Sequence, residues 1–184
     1  MPAFEELRER ARREWESFRF SPLPKILVGA ATCGRAAGAL ETLEAFRRRL
    51  QERGIEALIV ETGCMGLCYA EPLVVIFHPE MPPVCYGRVT PEIASELVDR
   101  YLAGGDPCLE LALGSLEEGE EGIFIPELPR FEREKRLILR YCGYIDPENI
   151  NHYIALGGYE GLAKALKMKP EAVSYTHLTL PTKA

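Results

Sequence analysis

The chain has 184 residues, 47% of them hydrophobic and 27% charged, with a formal net charge of -6. That length fits one domain, or one domain and the start of another, and the net acidity argues against broad phosphate-backbone binding, which needs clustered Lys and Arg. No run approaches the ~20 apolar residues of a membrane span, and Met1 to Glu16 is too charged for a secretory signal, so a cytoplasmic protein with no nucleic-acid partner and no direct membrane insertion is expected.

Phe4, Leu7, Ala11, Trp15 and Phe18 recur at steps of three and four, which predicts an amphipathic helix within residues 1–23. Arg8, Arg10, Arg12 and Arg13 alternate with glutamates and read as its solvated face. Lys25 to Val28 is a short buried strand, followed by a small-residue turn from Gly29 to Gly34 that holds Cys33. From Arg35 to Arg53, Ala36, Ala39, Leu40, Leu43, Phe46 and Leu50 share one helical face, and Gly54 is placed to cap it. Ile55 to Glu61 contains the second strand, which runs into Thr62-Gly63-Cys64-Met65-Gly66-Leu67-Cys68. Pro72 to Phe77 is a third strand, rich in β-branched residues. His78 to Pro83 reads as a turn and Val84 to Val89 as a fourth strand. Thr90 and Pro91 then suit the N-cap and first position of a helix whose apolar face is Ile93, Leu97, Val98 and Tyr101.

Two strands joined by a helix should lie parallel with a right-handed crossover, and strands three and four should form an antiparallel hairpin. The expected α/β architecture is a thioredoxin-like, mixed four-stranded sheet flanked by helices over residues 24–105. Glycine, proline and the acidic run Glu117 to Glu121 predict a linker over 106–130, with Ile123-Phe124-Ile125 docking on a neighbouring surface. A second unit over 131–173 holds one short helix after Asp146-Pro147-Glu148 and another from Tyr159 to Met168. Two short helices cannot enclose a core, so this unit is expected to need partners from outside the chain. Ser174 to Ala184 continues no helical pattern and is expected to be a non-native or disordered tail.

Six cysteines in a reducing compartment point to metal binding, redox chemistry or simple burial rather than to disulfides. Cys33 follows the first strand; Cys64 and Cys68 follow the second. If those strands are parallel neighbours, the three thiols converge at one edge of the sheet. A group of thiolates is what an iron–sulfur cluster requires, and the flanking glycines suit loops that expose backbone N–H groups to cluster sulfides. The same three residues could equally be small apolar side chains under the loops. His78 and His152 have no ligand-spaced partner and read as surface histidines, and no serine–histidine–acid set or phosphate loop occurs, so no catalytic residue is assigned.

Cys33 followed by Ala36-Ala37-Gly38-Ala39, then Glu61 to Cys68, Pro72 to Val75 and Tyr86 to Glu92, resembles the thioredoxin-like [2Fe–2S] ferredoxin family over Pro24 to Leu102. Leu137 to Glu148 with Tyr153 to Leu166 resembles the opening of the NADH-binding flavoprotein subunit of complex I and the related subunits of NAD(P)-linked hydrogenases and formate dehydrogenases. The resemblance implies an electron-transfer module that works with other subunits of an NAD(P)H-linked oxidoreductase, with Cys33, Cys64 and Cys68 as cluster ligands. It also implies that the FMN and NAD(H) sites lie downstream of Lys169 to Val173, where this chain ends. One ligand departs from the family pattern: C-x4-C on the first loop would place a cysteine where this chain has Val28. Cys85 is a tempting substitute, but its place after the hairpin turn predicts the far end of the sheet; Cys108 and Cys142 read as packing thiols. Three functions therefore stay open: a cluster-bearing electron carrier, a cluster-free ferredoxin-like docking module, and a thiol–disulfide redox protein.

Overall fold

The computed structural model describes residues 2–116 and 133–178, and the expected docking segment Ile123-Phe124-Ile125 lies outside them. The chain divides into two units, one of residues 20–147 and one of residues 1–19 and 148–184.

In the larger unit, β1 (Lys25–Gly29) and β2 (Leu58–Thr62) are joined through α2 (Thr32–Ala36) and α3 (Ala39–Arg53). The two strands pair in parallel, Lys25 opposite Leu58 and Gly29 opposite Thr62. β3 (Val74–His78) lies antiparallel on the other side of β1, with Val28 opposite Val74. β4 (Met81–Tyr86) returns antiparallel to β3, so the turn is shorter than His78 to Pro83, and Pro82 and Pro83 enter the strand. The sheet has five strands rather than four: β5 (Ala112–Ser115) adds antiparallel to β4 and gives the order β2-β1-β3-β4-β5. It arises in the segment read as a linker because Leu113 and Gly114 carry no alternating apolar signal, while the β4 edge offers unpaired backbone groups.

Side chains alternate across a strand. Ile26, Val28, Val74, Ile76, Val84 and Tyr86 enter one core with Leu43, Phe46 and Leu50 of α3 and with Leu97, Val98 and Tyr101 of α4 (Pro91–Leu97) and the π-turn that continues it. Thr90 caps α4 by accepting from the Ile93 N–H, and Gly54 ends α3 at φ 65°. Asp99 ties α4's extension to α3 by accepting from Arg49 Nε at 2.9 Å and Arg53 Nε at 2.7 Å. This mixed sheet with helices packed on it is the thioredoxin-like α/β fold.

The smaller unit is formed by α1 (Pro2–Arg19), α5 (Ile150–Ala155), α6 (Glu160–Ala165) and α7 (Pro170–Leu178). It corrects three expectations. The short helices find their partner within the chain, since α1 brings Trp15 and Phe18 to 5.0 and 4.6 Å from the His152 ring. His152 is accordingly buried, at 1% exposure, rather than a surface residue. Glu14 of α1 accepts from the side chains of Asn149 and Asn151 at 2.7 and 2.6 Å. α7 also continues through Ser174 to Leu178, into the stretch expected to form the tail. Among the described residues no helix is long and apolar enough to cross a membrane.

Candidate metal centre

Both loops that carry the three cysteines leave the carboxyl ends of the parallel pair, and backbone hydrogen bonds tie them together. Ala30 N–H donates to Thr62 O at 3.0 Å and Gly29 N–H to Leu73 O at 2.8 Å. Arg35 reinforces the join: its Nε donates to Ala30 O at 2.8 Å and its Nη2 to Glu61 Oε2 at 3.0 Å. Cys33 sits on α2, a helical turn earlier than the pattern predicts, and is exposed. Gly34 beside it must be glycine, because a Cβ there would lie 1.9 Å from Gly29 O.

The expected convergence occurs. Cys64 and Cys68 stand Sγ to Sγ at 3.6 Å, close to the ~3.8 Å that two sulfurs take when both bind one tetrahedral metal at about 2.3 Å. Cys33 reaches Cys68 closely enough for a thiol–thiol hydrogen bond, which raises the Cys33 pKa above its ordinary value. Burial pushes the Cys64 thiol up to about 11, against the pull of the Gly66 N–H, which donates to its Sγ at 3.2 Å. Gly66 can aim that N–H because its φ of 94° is open to glycine. Both shifts run opposite to the depressed pKa of an exchange-active thiolate. Among the described residues no three His, Cys, Asp or Glu side chains are arranged around a single ion; a two-iron cluster asks instead for two pairs of ligands.

Val28 is fully buried in the core, and its side chain is turned away from the loops. Cys85 needs a correction: its partner is Val75, so it lies near the loop end of the sheet rather than the far end. It is still no exposed ligand, being fully buried with its thiol pushed up to about 12 by burial. Cys108 is buried too, with its Sγ donating to Asp106 O at 3.4 Å.

Two further donors lie near the cysteines: Glu71, which the sequence did not single out, and Cys142, which it read as a packing thiol. Glu71, three residues after Cys68, is 7% exposed, and its Oε2 accepts from the Leu73 N–H at 2.8 Å. Burial raises its pKa, and the Cys64 thiol is near enough to oppose that rise. Cys142 comes from the segment that folds over the Cys64 loop, and its Sγ lies 3.4 Å from the position of a Cβ on Gly63. Arg136 donates to Met65 O at 2.6 Å and Gly143 N–H to Thr62 Oγ1 at 3.3 Å, which hold that segment in place. An acidic residue just past a C-x3-C is the signal that could have exposed Glu71; no local pattern marks Cys142.

No family model matches the sequence. Over 83 residues the chain is 39% identical to the NADP-reducing hydrogenase subunit HndB of Solidesulfovibrio fructosivorans, covering 45% of this chain and 66% of HndB. Over 42 residues it is 57% identical to the NADP-reducing hydrogenase subunit HndC of the same organism, covering 23% of this chain but 9% of HndC. A solved structure, the thioredoxin-like [2Fe–2S] ferredoxin from Aquifex aeolicus, aligns with a TM-score of 0.44 and 27% identity, covering 52% of this chain and 100% of that one. The 2Fe-2S ferredoxin of Aquifex aeolicus (strain VF5) is 35% identical over 79 residues, 41% of this chain and 68% of its own length. The chain belongs to the thioredoxin-like [2Fe–2S] ferredoxin family.

Proposed function

We propose that this chain is an electron-transfer module that holds a [2Fe–2S] cluster through Cys33, Cys64 and Cys68, within a multi-subunit oxidoreductase that uses a nicotinamide cofactor. The observation that carries the reading is the meeting of these three thiols at one rim of the sheet, with the Cys64–Cys68 pair 3.6 Å apart. When bound, such a cluster supplies reversible one-electron chemistry tuned by its ligands and hydrogen bonds. The chain's own residues do the holding. Arg35 and the strand-end hydrogen bonds set the spacing of the two loops. Gly66 aims an N–H at the Cys64 sulfur, the kind of outer contact that tunes a metal centre. Exposure of Cys33 and Cys68 leaves the rim open to an electron partner. The nicotinamide link and the partner subunits rest on similarity to HndB and HndC.

A second reading has its own observation: Val28 offers no ligating atom, so the family's fourth thiolate is missing. On that reading the domain docks subunits without a cluster. Anaerobic reconstitution with iron and sulfide separates the two. The electron-carrier reading expects brown protein with iron and sulfide in equal amounts, a reversible reduced-state electron paramagnetic resonance (EPR) signal, and loss of both in Cys64→Ala. Protein that stays colourless and iron-free overturns it.

A further inference from the structure

Resting on the cluster reading above, we propose that Glu71 supplies the fourth ligand, through its carboxylate Oε1. The residue is nine-tenths buried, yet Oε1 has no hydrogen-bond partner and almost no contact with solvent. Its other oxygen accepts from the Leu73 N–H, the Cys64 thiol also approaches the carboxyl, and among the described residues no cation pairs with it. Burying a carboxyl oxygen without a partner is costly, so a carboxyl held this way implies a partner that completes it.

Its position says which partner. A Cβ on Gly29 would lie 2.9 Å from Oε2 and 3.3 Å from Oε1, and a Cβ on Gly34 would lie 3.3 Å from Oε2. Those glycines bracket the turn that presents Cys33, and the carboxyl also interacts with the Cys64 thiol. Glu71 therefore occupies the space between the two thiol-bearing loops, on the sheet face opposite Val28. Glycine at 29 and 34 leaves room for it where any side chain would crowd it. A carboxylate oxygen is an ordinary iron ligand, and non-cysteine ligands on one iron of a two-iron cluster have precedent. Cys142 is the competing donor. Its sulfur approaches Gly63, whereas the Glu71 carboxyl approaches both Gly29 and Gly34 of the Cys33 loop.

Binding moves no electrons. Oε1 donates a lone pair to ferric iron, and any proton on the carboxyl passes to solvent.

The test uses the full chain reconstituted anaerobically with iron and sulfide. In the wild type, Mössbauer spectra of the oxidised cluster should resolve two inequivalent irons, one bound only by sulfur and one bearing oxygen. Glu71→Gln keeps the acceptor for Leu73 but is a poor ligand, and iron per chain should fall at least about tenfold, the lower end of what losing even an outer contact to a metal costs. Glu71→Cys should restore the iron and merge the two Mössbauer doublets into those of an all-thiolate cluster. The proposal is overturned by Glu71→Gln with wild-type iron and spectra, or by a wild type whose irons are both all-thiolate while Cys142→Ser loses the cluster. Should Glu71→Gln fail to fold, the wild-type spectrum and Glu71→Cys still decide. A wild type that takes up no iron sinks the cluster reading itself, whereas iron uptake indifferent to Glu71 sinks only the ligand assignment.

Discussion

The same residue type has two fates in this chain, and the contrast separates its rim from its interior. Cys85 and Cys108 are fully buried, their thiols raised by desolvation, and they act as small apolar side chains. Cys33 and Cys68 are exposed and Cys64 half-buried, gathered on loops held by backbone hydrogen bonds and one arginine. The interior cysteines are fixed by packing, Cys85 on a strand and Cys108 in a turn, whereas the rim cysteines are placed by loop geometry. On the proposed reading, the electron-transfer site sits on exposed loops carried by a buried frame.

The contrast can be broken or sharpened by moving substitutions from one region to the other. Phe46→Ala removes a fully buried ring from the main core and should cost about 3–5 kcal/mol. Denaturant titration of the apoprotein checks it, and iron uptake under native conditions should stay at the wild-type level. Gly34→Ala crosses the boundary, because its methyl would meet Gly29 O at 1.9 Å. Relief requires the Cys33 turn to shift, at about 1–3 kcal/mol, and iron uptake should drop along with the melting temperature. A variant that loses stability but binds iron normally would mean that the rim tolerates displacement.

Cys85→Ala should cost only about 1 kcal/mol, the scale of one buried methylene-sized group, and leave the reduced EPR spectrum unchanged. A changed spectrum would move Cys85 into the site. The smallest effect concerns acid stability. Arg49 and Arg53 hold Asp99 at a pKa of about 2, below its ordinary value. A lowered carboxylate pKa stabilises the fold above the unfolded-state value near ~3.9. That contribution is then lost as pH falls toward about 2. Asp99→Asn should flatten this limb of the pH–stability curve while leaving the rim untouched.

Much of the frame was legible from local pattern. The α3 stripe from Ala39 to Leu50, the Thr90-Pro91 helix start and the β-branched run of β3 all lie where periodicity and capping place them. β5 was not legible: its pairing depends on the β4 edge, not on its own composition. Cys85 was misplaced for a related reason, since the true start of β4 at Met81 moves it to the other end of the sheet. The grouping of Cys33 with Cys64 and Cys68 could be read ahead because parallel strands send both following loops to one edge.

The sequence alone determined most of the elements, the parallel pair and the three cysteine loops, because hydrophobic period, caps and turn residues act within a few residues of each other. Tertiary structure decided which face each side chain meets. It buried His152 against α1, drew the 136–145 segment over the Cys64 loop, and left a carboxyl oxygen of Glu71 without a partner between two glycines. Those contacts join residues far apart in the chain, so no local pattern encodes them.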